Sequence, residues 1–123
     1  MEQLNYKPLF WATGAKDELL ALPRSVVHNF GYVLSAIQFG KRPATSVKPL
    51  QGFAVILFEL RDNDAAGTYR AVYCTAFDGV VYVLHCFQKK SPSGSSLPRA
   101  TLALIRRRLS EVRSHHEQVI QST

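Results

Sequence analysis

The sequence is poor in the residues that staple or metallate a small domain. Of its 123 residues, two are cysteine, one is methionine and one is tryptophan. Cys74 and Cys86 stand in no C-x-x-C or zinc-type spacing, which argues against a disulfide framework or a zinc module. No Walker loop, G-x-G-x-x-G or H-E-x-x-H occurs, so ATP-driven chemistry, dinucleotide cofactors and zinc hydrolysis are disfavoured. The longest apolar run, Phe53 to Phe58, is far too short to cross a bilayer. Met1 to Lys7 lacks the positive start and long apolar stretch of a signal peptide. A cytoplasmic chain with no membrane partner is therefore expected. Acid is scarce too: nine Asp and Glu stand against fifteen Lys and Arg, a net charge of +6.

What remains is a globular composition, 46% hydrophobic and 20% charged. The length suits one domain, expected over residues 1–113, followed by a polar tail at 114–123 that frays. Twelve of the fifteen basic residues lie between Lys41 and Arg113. Such a balance suits a polyanion partner, most often nucleic acid, although excess Lys and Arg also serve solubility alone.

The pattern along the chain predicts an α+β fold. Pro8 to Thr13 reads as an edge strand ended by Gly14, and Lys16 to Leu22 as a short helix with Asp17 and Glu18 at its positive end. Pro23 to Phe39 reads as a helix whose stripe is Val26, Val27, Phe30, Val33, Leu34 and Ile37, stopped by Gly40. Lys41-Arg42-Pro43 begins a loop that holds Lys48. Strands are predicted at Phe53–Arg61, Thr68–Phe77 and Val80–Gln88, with a turn-rich link from Asp62 to Gly67. Asp78-Gly79 is a two-residue hairpin signal. Lys89 to Ser96 reads as a loop, and Pro98 to about Val112 as a final helix. The expected architecture is a small antiparallel sheet with the N-terminal helices packed on one face, plus a C-terminal helix.

If Asp78 and Gly79 are the loop, Cys74 faces Val83, Val72 faces His85, Ala71 faces Cys86 and Arg70 faces Phe87. Alternation then puts Arg70, Val72, Cys74, His85, Phe87 and Lys89 on one face. Tyr69, Tyr73, Tyr82, Leu84 and Cys86 fall on the other. The two cysteines point apart, which argues against a bridge. A bulge near Phe87 would move Lys89 and Lys90 between faces.

A cationic group thus gathers on the sheet: Arg61, Arg70, His85, Lys89 and Lys90, with Lys48 nearby. Cutting RNA without metal needs a proton taken from the 2′-hydroxyl, a proton given to the leaving 5′-oxygen, and charge stabilised on phosphorus oxygens. Arg and Lys suit the last task, and His either proton transfer. Each residue also has a plainer reading. Arg70 could pair with Glu59 or Asp62, and His85 could be a half-buried structural histidine. Tyr73 and Tyr82 could be core, and Lys89-Lys90 an edge guard. The Arg106-Arg107-Arg108 triplet winds around a helix and reads as a solvated face. His115-His116 falls in the expected tail.

Tyr69-Arg70-Ala71-Val72-Tyr73 resembles the Tyr-Arg-x-x-Tyr strand of RelE-type toxins. With Lys48-Pro49-Leu50, Gly52, Glu59-Leu60-Arg61 and Leu84-His85-Cys86-Phe87-Gln88-Lys89-Lys90, the chain resembles the phage-related, HigB-type branch of the RelE/ParE superfamily from about Leu9 to Leu109. The resemblance implies a RelE-like sheet with two helices on one side. It implies a type II toxin, a ribosome-dependent mRNA endoribonuclease needing no metal or cofactor. The implied partners are mRNA on the ribosome and a cognate antitoxin, often a helix-turn-helix DNA-binding protein. Arg70 matches the catalytic strand arginine, Lys89 and Lys90 the basic residues after the last strand, and Arg61 a basic position ahead of Tyr69-Arg70. The catalytic set expected is Arg70, His85, Lys89 and Lys90, with Lys48, Arg61 and Tyr73 binding RNA. His85 is the expected general base, with Lys89 or Lys90 as competitors. Leu57 and Glu59 stand where RelE proper carries a lysine pair, and no tyrosine follows Tyr82. A ParE-like gyrase poison, or an RNA- or ribosome-binding module that does not cut, would share the fold.

Overall fold

The computed structural model of the chain describes residues 6–41, 47–89 and 97–121. It is α+β, with a five-stranded sheet in the order β1-β5-β4-β3-β2. The strands are β1 (Leu9–Trp11), β2 (Val47–Leu50), β3 (Leu57–Asp64), β4 (Gly67–Cys74) and β5 (Val81–Lys89). The helices are α1 (Ala15–Leu20), α2 (Arg24–Gln38) and α3 (Arg99–Gln121). β3 to β5 form the expected antiparallel meander, β2 extends it antiparallel to β3, and β1 lies parallel beside β5. No helix among the described residues is long and apolar enough to cross a membrane.

Several boundaries differ from the sequence reading, each for a local reason. Val47–Leu50, expected as loop, is an edge strand on β3. An edge tolerates Pro49 because one side of the strand needs no ladder donor. Phe53–Ile56 lies outside β3, which begins at Leu57 and runs on to Asp64. The β3–β4 turn is therefore short, and Asp64 Oδ1 accepts the Ala66 and Gly67 amides. Pro23 caps α2 instead of opening it, its carbonyl accepting the Val26 and Val27 amides. α3 continues well past Val112 to Gln121, because His115 and His116 pack on aromatic side chains.

The β4–β5 connection is longer than the expected two residues, since β4 ends at Cys74 and β5 starts at Val81. A register shift lies between Val72 and Tyr73, where Tyr73 pairs with Val83 and Leu84 has no partner in β4. On the far side of this bulge the expected pairs hold: Val72–His85, Ala71–Cys86 and Arg70–Phe87. On the turn side they are off by one, so Cys74 faces Tyr82. Tyr82 therefore sits on the face of Val72 and Cys74, not the opposite one. Cys74 and Cys86 still point apart, and both are free and buried. Burial pushes their thiols up to about 11 and about 12 respectively.

The core is layered around this sheet. α2 packs on β3, where Asn29 bonds Asp62, using buried Val26, Phe30, Leu34 and Ile37. α3 packs on β5 through Ile105, Leu109 and Val112, and His115 bonds the Tyr82 hydroxyl. Register puts Asp62 and Tyr82 on opposite faces, so α2 and α3 sandwich the sheet. α1 lies at the β5 edge beyond the short β1.

Candidate active site

The cationic face is real, and register assembles it. Glu59 pairs with Lys48 and Val72, and Val72 with His85. Arg61 pairs with Arg70, Arg70 with Phe87, and Thr68 with Lys89. Lys48, Glu59, Arg61, Arg70, His85, Phe87 and Lys89 thus share one face. Lys48 is exposed on β2 instead of lying in a loop. Lys90 lies outside the described residues.

Tyr73 is not on this face. It lies on the opposite face, 3% exposed, with its ring stacked 5.5 Å from that of Phe58. Burial pushes its hydroxyl up to about 12. It is a core tyrosine, and the Tyr-Arg-x-x-Tyr spacing itself requires this: positions three apart on a strand point to opposite faces.

At the centre, Arg70 is buried, at 7% exposure, and donates through Nη1 to Glu59 Oε1 at 2.6 Å. Arg61 Nε donates to the same oxygen at 2.8 Å. Glu59 is thus the carboxylate that holds both guanidiniums, and it does so 2% exposed in the middle of β3. Two like-charged arginines facing across a strand pair would repel each other; the shared acid removes that cost. Arg70 Nε is buried, with no hydrogen-bond partner among the described residues.

His85 is held by a second acid. Its Nδ1 lies 2.9 Å from Glu18 Oε1, which also accepts from Arg108 Nη1 at 2.7 Å. The carboxylate as acceptor assigns the ring proton to Nδ1 and leaves Nε2 as the basic nitrogen of the neutral ring. Phe87 stacks on the ring at 4.6 Å. Partial burial by itself raises the Glu18 carboxyl. Bonds from Arg108, His85 and the Cys86 amide outweigh it, so Glu18 titrates below the ordinary 4.5.

The bulge explains why these groups meet. β1 ends at Trp11, so β5 beyond Val83 has an unpaired edge. There Arg108 Nη1 donates to the Leu84 carbonyl at 3.0 Å, and the Cys86 amide donates to Glu18 Oε1 at 3.2 Å. An ion pair from two helices stands in for a sixth strand. Gly14 makes room for it: its φ is +91°, and a Cβ there would lie 3.0 Å from Arg108 Nη2. Only glycine meets both demands.

The sequence reading found Arg61, Arg70, His85 and Lys89 but gave no part to Glu18 or Arg108. Glu18 read as a helix-dipole acid and Arg108 as one of a solvated triplet. A usable signal existed, since Arg108 borders the Ile105–Leu109 stripe that faces the sheet. The partner, ninety residues away, left no trace in the local pattern.

Among the described residues, no group of three His, Cys, Asp or Glu side chains could hold a metal ion. No curated protein matches the chain. Among solved structures, it is similar to the toxin–antitoxin complex RelBE2 from Mycobacterium tuberculosis, with 22% identity over 74% of this chain and 100% of that one and a TM-score of 0.46. Residues 17–110, which span α1 to the Arg108 turn of α3 and so contain Glu59, Arg70 and His85, match the family of phage-derived Gp49-like proteins (DUF891), and the chain belongs to that family.

Proposed function

We propose that this chain is the toxin of a type II toxin–antitoxin pair and that it cuts mRNA on the translating ribosome. The observation that carries the reading is the common face of Lys48, Arg61, Arg70, His85 and Lys89 beside a carboxylate. The reaction is attack of a 2′-oxygen on the adjacent phosphorus, with the 5′-oxygen leaving. It gives a 2′,3′-cyclic phosphate, or its 3′-phosphate hydrolysis product, and a 5′-hydroxyl end.

Arg70 stabilises the charge that builds on the phosphorus oxygens through the N–H groups other than Nη1, the one that Glu59 takes. His85 and Glu59 flank Val72 on neighbouring strands, so their Cα atoms lie about 10 Å apart, two strand spacings. His85, oriented by Glu18, moves a proton through Nε2. Arg61, Lys48 and Lys89 hold flanking phosphates, and Lys90 extends the basic run. The partners are mRNA on the ribosome in the cytoplasm and a cognate antitoxin that blunts this face.

The test follows 5′-labelled mRNA in a bacterial translation extract, with one reaction lacking ribosomes. Arg70→Ala strands Glu59 in the sheet, so it is run beside Arg70→Ala/Glu59→Gln, which removes both charges. Both variants are first checked for a cooperative unfolding transition. Cuts that require ribosomes and Arg70 support the reading. Cuts without ribosomes keep the nuclease and remove the ribosome. Intact mRNA in every lane overturns the nuclease, and a gyrase supercoiling assay then separates a gyrase poison from a binder that does not cut.

A further inference from the structure

Among the described residues, three arginines are bound to a carboxylate, and five others, Arg24, Arg99, Arg106, Arg107 and Arg113, are exposed. Arg61, Arg70 and Arg108 are each bound to a carboxylate. Arg106 and Arg113 are exposed, and no carboxylate among the described residues pairs with them. Both line one groove of about 350 Å³ between α3 and the segment joining β2 to β3, together with Phe53, Leu109 and Ser110. The Arg106 guanidinium lies 5.3 Å from the Phe53 ring centroid.

We propose that this groove is a second nucleic-acid site, taking a phosphodiester segment of single-stranded RNA that runs on from the Arg70 face. The RNA class rests on the function proposed above; the groove's preference for an anion does not. Arg106 and Arg113 stand two helical turns apart, about 10 Å along α3, so they grip separate points of an extended polyanion. Their planar N–H forks match phosphate oxygens in pairs. Stacking on Phe53 holds one fork in place. Ser110 adds a hydroxyl between the two cations. Gly52 and Ala54 keep the opposite wall low, and nothing lies within 4 Å of a Cβ built at Gly52. α3 packs on the sheet face that carries Tyr82, Glu59 and Arg70, so a strand held at Arg70 has the groove on its own side of the sheet.

The test is fluorescence anisotropy of a labelled, 2′-O-methylated ten-uridine strand, which cannot be cut, titrated at several salt concentrations. For Arg106→Ala/Arg113→Ala, affinity should fall about tenfold or more, and the log–log salt slope should flatten by about 1.4, two single-strand phosphate contacts. Phe53→Leu should weaken binding several-fold with the slope unchanged, and Arg107→Ala should stay within about twofold. The inference fails if the strand does not bind, if Arg107→Ala matches Arg106→Ala, or if the double variant keeps its slope. It also fails if a poly-glutamate peptide binds the groove more tightly than RNA, which would make it a protein-docking surface. Loss of mRNA cutting with groove binding intact would overturn only the nuclease. Normal cutting with unchanged RNA binding in the double variant would overturn only the groove.

Discussion

Towards its C-terminal end β5 holds His85 against Glu18 and Arg108, whereas at its start Tyr82 meets His115 and His116 among Phe10 and Phe77. The first cluster is ionic and closes an open strand edge. The second is aromatic and docks the end of α3. In the first, the histidine nitrogen facing the protein has an acid. In the second, His115 Nδ1 meets the Tyr82 hydroxyl at 2.8 Å, while buried His116 Nδ1 has no partner. A histidine beside this strand is thus tied either by charge, as His85 is, or by packing, as His115 and His116 of α3 are, and only the charged one has its tautomer assigned by a carboxylate.

The contrast breaks most sharply at Arg108. Arg108→Ala takes the guanidinium from Glu18, which keeps His85 and the Cys86 amide, and leaves the Leu84 carbonyl without its donor. Because Glu18 keeps some water contact, a loss of about 2–3 kcal/mol is expected in denaturant unfolding, somewhat under the range for a fully buried pair. The opened edge should also let Cys86 react with a thiol reagent sooner than Cys74. Equal rates would mean that the edge is not opened locally.

Glu18→Gln is expected to cost about 1–2 kcal/mol, since it weakens charge-assisted bonds without emptying the space. Its pH signature separates it from a packing defect. The Glu18 carboxyl is lowered in the folded state, so its contribution is fully present above the ordinary 4.5 and is lost as pH falls through the lower folded value. Wild-type stability should therefore drop more steeply below that pH than the variant's. Parallel curves would remove Glu18 from the account.

At the aromatic end the effects shrink and then change sign. Tyr82→Phe deletes one neutral hydrogen bond and should cost about 1 kcal/mol. His116→Phe removes a buried, unpartnered nitrogen and keeps the ring, so stability should hold or rise by up to about 1 kcal/mol. A clear loss there would show that His116 Nδ1 has a partner in solution and that the two clusters are more alike than their geometry indicates.

Strand and helix identities were legible because periodicity is local. Two of the misread boundaries depend on distant contacts. β2 exists because Val47–Leu50 finds the free edge of β3, and the end of α3 is ordered by Tyr82, Phe10 and Phe77. The hairpin register was legible from Arg70 to Val72 and wrong beyond, because one extra residue at Leu84 moves every later pair by one. Tyr73 was drawn into the site by its place in a motif, although alternation alone sets it on the other face. The Arg106-Arg107-Arg108 run shows how far local reading reaches. Winding separates the three correctly, but only the packed fold sends Arg106 to Phe53 and Arg108 to Glu18.

By itself the sequence determined the α+β composition, the alternation that aligns Arg70 and His85, and the excess of positive charge. These follow from periodicity and from counts, which need no long-range information. Only the tertiary structure decided which positive charges are neutralised within the protein. An ion pair such as Arg108 with Glu18 depends on where two helices meet across a strand edge, and nothing in either segment encodes the other. The same packing left Arg106 and Arg113 without a carboxylate among the described residues, and placed both on one groove beside Phe53.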